Sequence, residues 1–239
     1  MLKHALDWLQ MGATVVEGLL LLRVLTLKLH RVYLFITLYC VLNLLFDAAS
    51  WYFGWESAES SRIFEFSLFF FAPLYPLAAW ETFEESKSVV GKLRRAQMIR
   101  LVSGLLVTCL CALLISLYVE PADTNGNSLM LLFTGVFLLT GSASACAAFL
   151  WFMYRFSRAN KIPLAYNTAI WIYFFIVSLS LQIADCMTDF IRSLLPQTVT
   201  DIAAVALLSF DLVLMAWCIV RLKPVPSGAP SAPEKARLE

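Results

Sequence analysis

Apolar residues run through this chain in long blocks, separated by short clusters of charge, glycine and proline. A helix crossing roughly 30 Å of hydrocarbon needs about 20 mainly apolar residues. Seven segments meet that measure, approximately 8–27, 32–53, 64–80, 101–119, 128–154, 165–185 and 202–220. The pattern predicts an all-α fold: a polytopic membrane helix bundle of seven transmembrane helices whose apolar faces meet lipid. The first segment holds Glu17 and Arg23 and has no small-residue cleavage site, so it reads as a span rather than a cleaved leader.

The clusters between spans are asymmetric. Lys28 and Arg31 follow span 1, and Lys87, Lys92, Arg94, Arg95 and Arg100 lie between spans 3 and 4. Arg155, Arg158 and Lys161 separate spans 5 and 6, and Arg221, Lys223, Lys235 and Arg237 follow span 7. The alternate side holds Lys3, Arg62 and Arg192 against Glu56, Glu59, Glu120, Asp123 and Asp201. Lysine and arginine mark the cytoplasmic side, which predicts the N-terminus outside and the C-terminus cytoplasmic, in a plasma or cytoplasmic membrane. Tryptophans agree with those depths, Trp8, Trp51 and Trp55 at one boundary and Trp80, Trp151 and Trp217 at the other. Residues 1–223 form the transmembrane domain. The Pro-, Ser- and Ala-rich stretch 224–239 is expected to be a disordered cytoplasmic tail.

Two spans carry special residues. Pro73 and Pro76 should kink span 3 unless neighbouring groups satisfy the carbonyls they free. In span 5, Gly141 with Ala145 and Ser144 with Ala148 make small-xxx-small faces that allow close helix approach, most simply within the bundle.

Ionisable groups inside spans are costly, by about 2.5–3.5 kcal/mol each, and therefore face the bundle interior. Glu17 and Asp211 lie on the order of 13 Å below the outer boundary and Asp47 roughly 9 Å below it. Each belongs to a polar neighbourhood. Thr37, Cys40, Asn43, Asp47 and Ser50 share one face of span 2, Ser178, Gln182, Asp185 and Asp189 one face of span 6, and Gln10, Thr14 and Glu17 one face of span 1. These stripes predict an acid-lined crevice that opens outward, with Glu17, Asn43, Asp47, Gln182, Asp185 and Asp211 as its ligand- or cation-binding residues. Few basic residues share that depth. The deep acids must be protonated, hydrogen-bonded to Thr, Asn and Ser neighbours, or neutralised by a bound cation. Helix cross-linking, at about 0.6 kcal/mol per hydrogen bond, is the plainer use of any one of them.

Composition narrows the functional classes. With 60% hydrophobic residues, 15% charged residues and a net charge of +1, the chain has no basic surface for nucleic acid. The six cysteines lie in or beside apolar segments and read as free thiols, not a disulfide framework. Only two histidines are present, His4 and His30, both at span ends, which disfavours a His-rich metal site, bis-histidine haem and any Ser-His or Cys-His nucleophile. Span 7 holds no lysine for a retinal Schiff base. No loop could house a soluble catalytic domain. An enzyme is therefore the least supported class, and no cofactor is expected. The chain is expected to be a receptor-like or sensory module that binds a cation or small cationic ligand and signals through a cytoplasmic or membrane protein partner. The alternatives are a proton- or cation-coupled carrier of small solutes using the same acids, and a structural subunit of a membrane complex.

Overall fold

A computed structural model describes residues 2–54, 57–90, 94–118, 126–162, 164–191 and 196–224. The expected tail beyond Pro224, the turn bearing Glu120 and Asp123, Trp55, Glu56, Arg192 and the side chain of Asp189 lie outside the described residues. Seven α-helices follow in order: α1 Leu2–Thr26, α2 Leu34–Phe53, α3 Ala58–Val90, α4 Arg94–Tyr118, α5 Gly126–Ala159, α6 Tyr166–Ile191 and α7 Gln197–Arg221, with a 3-10 turn Leu29–Arg31 between the first two. The fold is all-helical. Six of the helices, all but α4, are long and apolar enough to cross a membrane; of α4, the described apolar stretch is Ile99–Cys111.

Helices α1, α2, α3, α5, α6 and α7 close a ring in chain order, each packed on the next and α7 returning to α1. Across it α3 also meets α6, whereas α4 stands outside, packed mainly on α5. The α4–α5 contact is antiparallel and close. Gly104 faces Ala145, and a side chain added at Gly141 would collide with Thr108. One expected small-residue face of α5 thus seats α4 within the bundle, while Ser144 and Ala148 on the other face are exposed. Arg100 lies over the Phe152 ring at 4.4 Å, which extends the same antiparallel register.

The surface is inverted relative to a water-soluble protein. Val15, Leu19 and Leu22 on α1, Phe66 and Phe70 on α3, Leu106 and Leu110 on α4, and Phe210 and Val213 on α7 all point outward. Such a continuous apolar exterior needs lipid against it. Aromatic and small side chains fill the interior, among them Trp171, Phe83, Phe174, Phe175 and Ala143.

Several helices overrun the apolar blocks. The loop expected at 81–100 is largely helical, since α3 continues to Val90 and α4 begins at Arg94. Hydropathy falls at Glu81, but no residue from there to Val90 breaks a helix; Gly91 is the first that could.

Helix α3 also continues through both prolines. Pro76 has no N–H, so the carbonyl four residues earlier, that of Ala72, loses its helical donor. Ser142 of α5, itself buried, donates its hydroxyl to that carbonyl at 2.6 Å. The neighbouring helix therefore replaces the missing bond, as hydrocarbon surroundings demand. Ser142→Ala should destabilise the protein by about 0.6–1.7 kcal/mol, the range for interhelical bonds in membranes. In a Pro76→Ala background, where Ala72 regains its own donor, the same change should cost less. A double-mutant cycle of unfolding in detergent measures the difference, and strict additivity would show that the bond is not compensating for the proline.

Candidate functional site

The two ends of the bundle differ chemically. At one end, exposed Lys28, Arg31, Arg155, Arg158, Lys161, Arg221 and Lys223 ring the helix termini. Polar contacts tie those termini together. Helix α2 has no capping side chain of its own at Tyr33. Glu81 of α3 takes that place, accepting the N–H groups of Leu34 and Phe35 on Oε1 and of Ile36 on Oε2. A carboxylate there meets both the orphan donors and the positive end of the helix dipole. Tyr33 and Thr168 share a buried hydrogen bond of 2.8 Å. The Asn167 amide pairs with both backbone groups of Lys223 at 2.8 and 3.0 Å, and Arg23 donates to the Leu222 carbonyl at 3.1 Å. Among the described residues this basic end is closed.

The other half of the bundle holds a cavity of about 350 Å³. The second halves of α2 and α6, the first halves of α1, α3 and α7, and one residue of α5 line it. Glu17, Asn43, Asp47, Gln182, Asp185 and Asp211 all lie on its wall, so residues picked from four separate spans meet at one place. Gln10, Ser50 and Ser178 from the same stripes join them. The stripes do not line it throughout. Thr37 and Cys40 are buried closer to the basic end, where the Thr37 hydroxyl bonds back to the Tyr33 carbonyl. Thr14 likewise bonds to the Gln10 carbonyl within its own helix.

Glu17 is the deepest acid and is 6% exposed. Asn43 donates its amide to Glu17 Oε1, and the Asp47 carboxyl lies within hydrogen-bonding reach of the Glu17 carboxyl. Asp47 and Asp211 are both within electrostatic reach of Glu17, and Asp211 within reach of Asp47 and Asp185. No lysine, arginine or histidine is among the described lining residues. Below Glu17 a further void of about 10 Å³ is bounded by Leu20, Cys40, Phe174 and Met215. Beyond it the core is solid, with Val24, Ile36, Trp171 and Cys218 fully buried. The cavity is a dead end in this conformation.

An aromatic wall, not anticipated from the sequence, completes the site. Tyr39, Phe46, Phe71 and Tyr75 all line the cavity. Phe71 stacks on Tyr75 with ring centroids 6.0 Å apart, and Tyr39 packs edge-on to Phe71 at 5.8 Å. Helical spacing held the signal. Tyr39 precedes Asn43 and Asp47 at steps of four, and Phe71 precedes Tyr75 by the same step.

No protein-family model matches this chain, and neither does any curated protein sequence or any solved structure. The geometry of the cavity is therefore what a functional reading must rest on.

The Glu17–Asn43 contact makes a direct expectation. Asn43→Leu strips the remaining donor from a buried carboxyl and should cost about 1–3 kcal/mol, the penalty for orphaning such a group. The double change with Glu17→Leu should be less destabilised than Asn43→Leu alone, because replacing both partners by apolar groups leaves nothing unsatisfied. Thermal unfolding of the purified variants measures both. If the double variant is the weaker one, the pair is not the contact that fixes α1 against α2.

Proposed function

We propose that this chain is a receptor-like or sensory module of the plasma or cytoplasmic membrane: seven spans, N-terminus outside, C-terminus cytoplasmic, with an outward-facing cavity for a cation or small cationic ligand. The observation that carries this reading is the convergence of Glu17, Asp47 and Asp211 on one cavity without a lining base, at the end opposite the basic residues. The positive-inside rule assigns that acid end to the outside. The antiparallel seating of α4 against α5 supports a fourth crossing. Closure of the basic end favours binding over passage, since a carrier using the same acids would have to open that end as well.

Helix α3 is the element suited to carry the response. It lines the cavity through Ser67, Phe71 and Tyr75 and, at its far end, caps α2 through Glu81 before running on to Val90. A ligand that prefers one packing of α3 would bias the other end, where a cytoplasmic or membrane partner would read it.

Topology and ligand binding are separately testable. Cysteine placed at Ser57 should react with a membrane-impermeant maleimide on intact cells, and cysteine placed at Arg158 only after permeabilisation. Labelling of both from the same side would mean that α4 does not cross, and would remove the seven-span arrangement. For binding, thermal unfolding of the detergent-purified protein is measured against a panel of metal ions and amines. A ligand at 100 times its Kd should add about 2.7 kcal/mol of stability. That shift should disappear in Glu17→Gln, Asp47→Asn and Asp211→Asn. A shift that survives all three substitutions would refute the acid-lined site.

A further inference from the structure

Resting on that reading of the cavity as a cation site, we infer that its ligand is an organic amine in protonated form, a primary or secondary ammonium on a flat apolar body, and not a metal ion. Four observations converge on this class. The acids surround the space instead of focusing on a point: among the described residues no three His, Cys, Asp or Glu side chains are grouped so as to hold a metal ion. The cavity of about 350 Å³ is far larger than one ion needs and falls within the size range of organic-ligand pockets. Its wall pairs carboxylates with aromatic rings, Tyr39, Phe71 and Tyr75, each nearly buried but still lining the space. Ring faces attract organic ammonium groups, whereas a strongly hydrated metal ion seeks oxygen ligands in number. Finally, Glu17 is almost wholly buried on the cavity wall, where Asn43 donates to its Oε1 and the Asp47 carboxyl lies within hydrogen-bonding reach. An ammonium N–H can donate to such carboxyl oxygens, which a quaternary ammonium cannot do.

The arrangement assigns each wall a part. Glu17, Asp47 and Asp211 take the charged nitrogen at the floor, and the Phe71–Tyr75 stack takes the apolar body. The neutral form of the same molecule would find only the second set of contacts.

Binding to the full-length protein in detergent is measured with phenethylamine, phenethyl alcohol as its neutral counterpart, benzyltrimethylammonium, and calcium, magnesium and zinc ions. Phenethylamine should bind saturably and outcompete benzyltrimethylammonium, with phenethyl alcohol and the metal ions giving no saturable signal. Phe71→Leu should weaken phenethylamine roughly two- to thirteenfold, the range of an aromatic pair, and Tyr75→Phe, which keeps the ring, should leave it nearly unchanged. Phe46→Leu, at a more exposed position on the same wall, gives the equivalent test if Phe71→Leu does not fold. Metal-ion binding that Asp47→Asn abolishes and Phe71→Leu spares would overturn the amine assignment while leaving the cation site intact. Equal binding of the amine and the alcohol would overturn it too, and would show a merely apolar pocket. No saturable binding by any cation would remove both the amine and the cation site beneath it.

Discussion

Hydrocarbon offers no hydrogen-bond partner, so every polar group within the spans has to find one inside the protein. That constraint explains why polar side chains are so unevenly placed here. The outward faces of α1, α3, α4 and α7 are Val, Leu and Phe, while Ser142, Asn43 and Glu17 point inward. It also explains how α3 continues past Pro76. A carbonyl freed in water would be solvated, but here a serine on the neighbouring helix has to serve it, and α3 and α5 are thereby fixed in register.

The same constraint separates the two ends of the bundle. At the basic end, two termini have polar partners from elsewhere in the chain: Glu81 for α2, and Asn167 and Arg23 for the segment leaving α7. These contacts join residues far apart in sequence and leave no open path. At the acid end the polar groups surround space. The two ends thus differ both in the sign of their charge and in how tightly their polar groups are packed on one another.

Much of this was legible in the sequence, because period and hydropathy both survive folding in lipid. The apolar blocks located the helices, and the three- and four-residue spacing of Asn43, Asp47 and Ser50, or of Ser178, Gln182 and Asp185, placed those groups on inward faces that do meet at one cavity. Helix ends were less legible. Hydropathy falls at Glu81, yet the helix continues nine residues further, because helix formation needs only competent residues and not apolar ones. The role of Glu81 was hidden for a related reason: within the sequence it is one of three neighbouring acids, and only the fold brings it under α2. The aromatic wall was missed because phenylalanine and tyrosine in a span read first as core or lipid-facing residues. Four-residue spacing puts them on one face of their helix, but which faces meet depends on which helices become neighbours.

The acids themselves carry the last step. Placing a carboxyl in a span costs about 2.5–3.5 kcal/mol, against an average of about 0.6 kcal/mol returned by an interhelical hydrogen bond. An asparagine or glutamine at Glu17, Asp47 or Asp211 would cross-link helices equally well at far lower cost. Asn43 already shows the neutral alternative in use within the same wall. One acid could be a tolerated expense, but three on the wall of one cavity multiply it. Among the described residues Glu17 receives one amide, from Asn43, and otherwise meets the carboxyl of Asp47. A cationic group seated in the cavity would offset the cost directly, by supplying the opposite charge. The feature least favourable to the stability of the bundle is therefore the one on which the proposed cation-binding role rests.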